Sequence, residues 1–135
     1  MNVIVCLDDK NGMLFNKRRQ SSDDVLCSRV LTIVGENRLY TDPYSAPLFA
    51  DAQNLCVAED FLDRCGEEDW CFVEKAQLLN HIDRIHKLII YRWNRVYPRD
   101  TLFPAAEFAE RWTLVSREDF VGKAHDQITE EIYTL

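Results

Sequence analysis

The chain has 135 residues, of which 47% are hydrophobic and 29% are charged, and its formal net charge is −7. These values predict one globular domain covering residues 1–135 and exclude a disordered chain. The negative charge argues against a general nucleic-acid binder or a protein that binds anionic membranes.

The chain carries no segment that predicts membrane insertion or export. Its longest apolar runs, such as residues 88–91, fall far short of the roughly 20 residues that a bilayer-spanning helix needs. Met1 leads directly into a strand-like segment, without the regions of a signal peptide. The cysteines are odd in number and irregular in spacing, which favours reduced thiols over a disulfide framework. We therefore expect a cytoplasmic protein with no membrane partner.

The first half of the chain predicts a strand, a helix and two more strands. Residues 3–7 are almost wholly apolar and β-rich, which is typical of a strand buried on both faces. Ser21 and Ser22 with the acids that follow predict a serine-capped helix that ends at Gly35. Short apolar runs at 54–58 and 69–73 predict the second and third strands.

The second half predicts one helix and three strands. Apolar residues at helical spacing indicate a helix over 75–84, and residues 87–93 indicate a strand. Residues 111–115 and 128–135 are candidate terminal strands, antiparallel to each other because no helical pattern separates them. The order of elements predicts a three-layer α/β/α domain with a mixed, mostly parallel central sheet.

Two separate stretches carry a family pattern. Asp8 ends the first strand, Gly12 follows 4 residues later, and Asp24 stands 12 residues beyond that glycine. Residues 100–104 are Asp-Thr-Leu-Phe-Pro, after the fourth predicted strand. This pattern resembles dihydrofolate reductase over most of the chain. The resemblance implies that family's fold, a mobile active-site loop after Gly12, and a pterin-binding, catalytic carboxylate at Asp24.

The chain departs from that family at both elements that hold NADPH. The best match to the family's Gly-Arg/Lys-x-Thr stretch is residues 35–38, where an acid replaces the cation. The family's Gly-Gly pair, which lets the backbone approach a pyrophosphate, is replaced by Glu74 and Lys75. Residues that help bind the adenosine part are missing between Ala58 and Trp70. We therefore predict a divergent, shortened member without the usual NADPH site.

Two interpretations of Asp24 stay open. In the first, it is a buried carboxylate that holds a protonated heterocycle, as the resemblance implies. In the second, it is an acid in the first helical turn that interacts with the helix dipole. The family's tryptophan after the loop is replaced by Arg19, and an aromatic that packs on folate is replaced by Ser28. These changes favour the second interpretation.

Five residues outside Asp24 are candidates for ligand binding. Lys17, Arg18 and Arg19 are consecutive cations that could bind an anionic ligand, although such runs are often solvated or paired with nearby acids. Tyr91 lies in the fourth predicted strand, and Thr101 belongs to the Asp-Thr stretch of the resemblance. The small-molecule site predicted here is the cleft in which the family binds folate.

Other kinds of site are not favoured. Residues 86–99 interleave basic and aromatic side chains, but strand alternation sends them to different faces, so we predict no nucleic acid. Two cysteines and two histidines, at 65, 71, 81 and 86, do not have the usual zinc spacing, so we predict no metal. The glycines are isolated, which excludes a glycine-built phosphate loop.

Three functions follow from these observations. In the first, the protein has lost NADPH-dependent reduction and binds a small ligand or a partner protein in the cleft. In the second, it is an NADPH-dependent reductase acting on a folate-like, pterin-like or related heterocycle. In the third, it is an interaction module, favoured if aromatics at 40, 44, 49, 93 and 97 form one exposed patch. A monomer and a homodimer fit the sequence equally well.

Overall fold

A seven-stranded mixed sheet forms the centre of the protein in a computed structural model that describes residues 1–135. The strands are β1 (Asn2–Leu7), β2 (Gly12–Phe15), β3 (Arg18–Arg19), β4 (Leu39–Thr41), β5 (Leu55–Val57), β6 (Trp70–Phe72), β7 (Lys87–Arg92), β8 (Thr101–Leu102), β9 (Thr113–Phe120) and β10 (Ile128–Thr134). The order across the main sheet is β5-β4-β6-β1-β7-β10-β9, and a small second sheet has the order β3-β2-β8.

The helices are short apart from the first. They are α1 (Asp24–Val34), α2 (Phe61–Arg64) and α3 (Ala105–Ala109), with two 3₁₀ helices at Ala46–Phe49 and Leu79–Arg84. None of these helices has both the length and the apolar character that a membrane crossing needs.

The central strand β1 pairs in parallel with β6 on one side and with β7 on the other. The strands β4, β5 and β6 are also parallel to one another, whereas β10 runs antiparallel to β7 and β9. This arrangement confirms the predicted mixed, mostly parallel sheet. It also confirms that the last two strands are antiparallel neighbours.

Apolar side chains cover both faces of the sheet because β1 and β7 alternate their buried residues between two cores. Ile4 and Ile89 pack under Leu26 and Val30 of α1 on one face. On the other face Val3, Val5, Leu88 and Ile90 pack with residues of α2, α3 and the connecting loops. The sheet therefore lies between two layers, as the sequence predicts.

The helix predicted over 75–84 is wrong in type and extent. Only Leu79–Arg84 is helical, and it forms a 3₁₀ helix. Lys75, the first residue of the predicted helix, contacts the ring of Tyr44 instead, and Glu74 just before it is bonded to Arg19. These tertiary contacts outweigh the helical spacing of the apolar residues. Between β5 and β6 only α2 is found, and β5 forms the edge of the sheet.

Candidate functional site

Glu74, two residues after the end of β6, is the buried centre of a polar cluster. Its side chain is only 8% exposed, and it accepts hydrogen bonds from Arg19 Nε at 2.8 Å and Arg19 Nη2 at 2.9 Å. The hydroxyl of Ser45 donates a third bond at 2.7 Å. We call the residues Arg19, Tyr44, Ser45, Glu74 and Lys75 the Arg19–Glu74 cluster.

Tyr44 completes this cluster, because two cations lie over its ring. The guanidinium carbon of Arg19 lies 4.4 Å from the centre of the Tyr44 ring, and Lys75 Nζ lies 3.6 Å from it. Hydrogen bonding to Glu74 raises the pKa of Arg19 above its usual value, although partial burial acts against this rise. The cluster therefore holds an ion pair whose hydrogen-bonding atoms are already bonded within the protein.

A cavity of about 510 Å³ opens beside the cluster. We call it the loop cavity. The β2–β3 hairpin, the residue after it and a segment after β7 provide its lining residues, which are Phe15, Asn16, Arg18, Arg19, Gln20, Tyr97 and Pro98. Two of the predicted ligand-binding residues, Arg18 and Arg19, line it, and the exposed Lys17 lies between the lining residues Asn16 and Arg18. The three cations are therefore adjacent to one concave surface.

Asp8 fixes the position of this hairpin. Its buried carboxylate accepts hydrogen bonds from the backbone N–H groups of Lys10, Gly12 and Tyr97 and from the side chain of Gln20. Burial alone would raise the pKa of Asp8, but these four donors more than offset burial and hold the pKa below its usual value of 3.8. The aspartate that ends β1 is thus a structural anchor for the loop.

The segment before α1 places its two acids in different surroundings. Asp23 is the N-cap of α1 and is buried, and its carboxylate accepts hydrogen bonds from the N–H groups of Val25 and Leu26. Asp24 is the first helical residue, its side chain is 80% exposed, and it pairs with Lys123 at 3.0 Å. The serine cap predicted from sequence is corrected by one to two residues. A catalytic role for Asp24 stays a prediction.

Asp23 also binds the loop between β9 and β10. Its carboxylate accepts hydrogen bonds from the N–H groups of Lys123 and Ala124 and contacts the ring of His125. Burial on its own would raise the pKa of Asp23, but these donors and the Val25 N–H hold the pKa far below its usual value. The buried acid at this end of α1 is therefore Asp23, a residue that the sequence identified only as an acid of the first turn.

The remaining ligand-binding candidates lie apart from the loop cavity lining. Tyr91 is 0% exposed, and its hydroxyl donates to Glu130 at 2.9 Å beneath α1. Burial, followed by the charge of Glu130, raises the pKa of Tyr91 well above its usual value. Thr101 is exposed on β8, where it pairs with Leu14 of β2. Of the five candidates, the structure brings only the three cations together.

The aromatic residues considered for an interaction surface do not share one exposed patch. Tyr40, Phe49 and Trp93 are buried, at 8%, 1% and 3% exposure. Tyr44 belongs to the Arg19–Glu74 cluster, and Tyr97 lines the loop cavity. The interaction-module hypothesis therefore loses the feature on which it depended.

Sequence patterns did not identify the residues that contact Glu74, nor the buried residues at the start of α1. Ser45 and Tyr44 lie in a proline-containing segment without a clear periodicity, so nothing local indicates that they face Glu74. Asp23 had one usable signal, because aspartate is a preferred residue at the N-cap of a helix. His125 had none, since it lies in an irregular loop far from α1 in sequence.

Comparison with known proteins gives a structural likeness and no sequence likeness. No protein-family model matches the sequence, and no curated protein sequence is significantly similar to it. Its structure is similar to that of dihydrofolate reductase from Enterococcus faecalis complexed with NADP(H) and RAB-propyl, with a TM-score of 0.69 and 11% sequence identity. The likeness covers 98% of this chain and 94% of that one. The chain therefore has a dihydrofolate-reductase-like fold, in a widely divergent sequence.

Proposed function

We propose that this protein binds a small anionic ligand in the loop cavity and does not carry out NADPH-dependent reduction. The observation that carries the proposal is the ion pair of Glu74 with Arg19 at the end of β6. The family resemblance implies a glycine pair at this place, where a pyrophosphate would approach the backbone. The buried carboxylate of Glu74 stands there instead, with its oxygens already bonded to Arg19 and Ser45.

The residues present do not fit NADP in the family's manner. A pyrophosphate beside Glu74 would meet like charge, which costs on the order of 1 kcal/mol or more at close range. Making room for a pyrophosphate at this place would also separate Glu74 from Arg19. Both charged side chains are partly or wholly buried, and each would lose its partner. Both effects support loss of the usual cofactor contact.

The free cations of the hairpin support an anionic ligand. Lys17 and Arg18 are exposed and take part in none of the ion pairs of the protein. Arg18 lines the loop cavity, and a guanidinium binds carboxylate or phosphate with two parallel hydrogen bonds. The ligand class we propose is therefore a small carboxylate or phosphate compound.

The second candidate function is NADPH-dependent reduction of a folate-like, pterin-like or related heterocycle. It is favoured by the similarity in fold to a dihydrofolate reductase whose structure holds NADP(H). In this function a carboxylate at the start of α1 binds the heterocycle, and the exposed Asp24 is the residue that the resemblance assigns. The charge of Glu74 argues against this second candidate.

Binding measurements distinguish the two functions. We expect no change in tryptophan fluorescence or melting temperature with NADPH or dihydrofolate, and a rise in melting temperature with inorganic phosphate or a small dicarboxylate such as succinate. Arg18→Gln should weaken anion binding about fivefold, because one charge-assisted contact is lost. Arg64→Gln, an exposed arginine of α2 paired with Asp60, is the matched control and should leave binding unchanged. Micromolar NADPH binding would overturn the proposal.

A further inference from the structure

Ser21, His125 and Asp23 form a hydrogen-bonded chain of three side chains. Ser21 Oγ lies 2.8 Å from His125 Nε2, and His125 Nδ1 lies 2.8 Å from Asp23 Oδ2. Ser21 and Asp23 precede α1, whereas His125 lies between β9 and β10, so folding alone brings them together. We call these residues the Ser21–His125–Asp23 chain.

The partners of His125 decide which of its ring nitrogens carries hydrogen. The ionised carboxylate of Asp23 can only accept hydrogen bonds, so His125 Nδ1 is the donor between them. In the neutral form of the ring the lone pair is then on Nε2, which can accept a hydrogen bond from the hydroxyl of Ser21. This is the arrangement in which a histidine can remove a proton from a serine.

The imidazole ring is held in one orientation. The indole of Trp93 stacks on the His125 ring, with centroids 4.6 Å apart and planes 28° apart. The N–H of Gly122 donates to the carbonyl of His125 at 2.9 Å, which closes a tight turn. A Cβ on Gly122 would lie 2.6 Å from Asp23 Oδ2, so only glycine lets this turn approach the carboxylate. His125 is therefore positioned before any ligand binds.

Helix capping explains only part of this arrangement. The capping bonds run from the N–H groups of Val25 and Leu26 to Asp23 Oδ1. They use neither His125 Nε2 nor Ser21. Ser21 is half-buried, and its contact with His125 is not one of the capping bonds.

We propose that Ser21 is an activated nucleophile that takes an acyl group from small carboxylic esters, with His125 as general base and Asp23 as the positioning residue. The proton of the Ser21 hydroxyl moves to His125 Nε2 while Oγ forms a bond to the ester carbonyl carbon. The bond from that carbon to the alcohol oxygen breaks, and the alcohol leaves with the proton from His125. Water then attacks the acyl-serine with the same proton transfers, which releases the carboxylic acid and restores Ser21.

The loop cavity begins one residue before Ser21 in sequence. Gln20, the residue directly before Ser21, lines the cavity of about 510 Å³. That volume suits a small acyl or alcohol group. The ester and the anionic ligand proposed above would share this cavity, but the first depends on Ser21 and His125 and the second on Arg18, so either proposal can fail without the other.

Labelling with a fluorophosphonate, which reacts with activated serines, tests the proposal. We expect one adduct per chain, located at Ser21 by peptide mass spectrometry, and slow hydrolysis of 4-nitrophenyl acetate. Ser21→Ala should abolish the adduct, and His125→Gln should slow labelling about 100-fold, since general-base catalysis contributes about that much. The matched control is Ser22→Ala, which removes the exposed neighbouring serine and should leave the labelling rate unchanged.

Asp23→Asn tests the positioning role with a readout that a purely structural role would not change. Its amide nitrogen in place of Oδ2 should donate to His125 Nδ1 and move the ring hydrogen to Nε2, which ¹⁵N spectra of the imidazole report. Labelling should then fall about 100-fold in a protein that melts cooperatively. If this variant does not fold, the comparison of His125→Gln with Ser22→Ala decides. Folded wild-type protein without an adduct at Ser21, or an unchanged labelling rate in His125→Gln, would overturn the proposal.

Discussion

Arg19 and Glu74 meet through two parallel hydrogen bonds, from Nε to Oε2 at 2.8 Å and from Nη2 to Oε1 at 2.9 Å. This fork-to-fork geometry is the strongest that an arginine and a carboxylate form. It joins the β2–β3 hairpin to the end of β6 across 55 residues of sequence. The pair therefore fixes the position of the hairpin relative to the end of β6.

A double-mutant cycle measures the strength of this pair. Glu74→Ala should lower the free energy of unfolding by about 3 kcal/mol, because it leaves Arg19 and Ser45 without their acceptor. Urea unfolding of both single variants and the double variant should give a coupling energy of about 1–3 kcal/mol between Arg19 and Glu74.

The control for that cycle is an exposed pair of the same chemistry. Arg64 and Asp60 have side-chain exposures of 63% and 54%, and their coupling should be clearly weaker, because solvent screens an exposed ion pair. Equal coupling in the two cycles would show that the buried cluster adds no stability beyond that of a surface pair.

Alanine substitutions of two neighbouring acids should have very different effects. Asp23→Ala removes the N-cap and the acceptor of the β9–β10 loop, which should cost about 2–4 kcal/mol. Asp24→Ala loses only an exposed pair with Lys123 and a contact with the helix dipole, which should cost less than about 1 kcal/mol. Thermal unfolding followed by circular dichroism measures both. A larger cost for Asp24→Ala would contradict the placement of the cap.

Gly122→Ala should destabilise the protein through overpacking. Its Cβ would lie 2.6 Å from Asp23 Oδ2 and 2.9 Å from Ile128 Cδ1. Such overpacking costs about 1–3 kcal/mol, and it should also shift the NMR signals of the His125 ring. Gly66→Ala is the control, because its nearest neighbour is the movable side chain of Asp69 at 3.0 Å. Equal melting temperatures for the two variants would contradict the close approach at Gly122.

Asp8 makes stability depend on pH on the acid side. Its pKa is lowered in the folded protein relative to the usual 3.8, so the unfolded chain binds its proton first as the pH falls. The stabilisation is present in full above about pH 4 and is lost as the pH falls through the lower pKa of the folded state.

Removing the carboxylate of Asp8 should therefore make the free energy of unfolding depend less on pH at acid pH. In Asp8→Asn we expect lower stability at pH 7 and a smaller further loss between pH 4 and pH 2, measured by urea unfolding at each pH. The control is Asp51→Asn, an exposed aspartate after the first 3₁₀ helix. If Asp8→Asn loses as much stability between pH 4 and pH 2 as the wild-type protein, other carboxylates account for that loss.

Tyr91→Phe tests whether Tyr91 has a structural role only or also binds the ligand. The hydroxyl of Tyr91 donates to Glu130 in the core, so its removal should cost about 1 kcal/mol of stability. Anion binding, measured as in the titrations of Arg18→Gln, should be unchanged. Weaker anion binding in a stably folded Tyr91→Phe variant would mean that the ligand reaches deeper than the loop cavity.

The main elements could be predicted because their patterns are local. The apolar run of β1 specifies a strand buried on both faces, and Gly35 ends α1 with a positive φ of 58°, which glycine adopts without strain. The terminal strands β9 and β10 could be predicted as antiparallel neighbours because no helical pattern separates them in sequence. The prediction of a helix over 75–84 was wrong because the tertiary contacts of Glu74 and Lys75 outweigh the helical spacing of its apolar residues.

The candidate sites were predictable only in part. The sequence placed Glu74 directly after a strand and the three hairpin cations together, and it indicated that a carboxylate replaces a glycine. It could not pair Glu74 with Arg19, because that contact depends on how the hairpin folds over the sheet. It also could not tell Asp23 from Asp24, since adjacent residues at a helix start differ in burial according to what packs against them.

By itself, the sequence determined the buried strand β1, the helix α1 with its end at Gly35, the two antiparallel terminal strands and the charge of each segment, because these depend on neighbours along the chain. Only the tertiary structure decided that Arg19 neutralises Glu74 and that His125 connects Ser21 to Asp23. Those contacts join segments 55 and 102 residues apart. Their geometry depends on strand register and on loop closure over the sheet, which no local pattern of residues encodes.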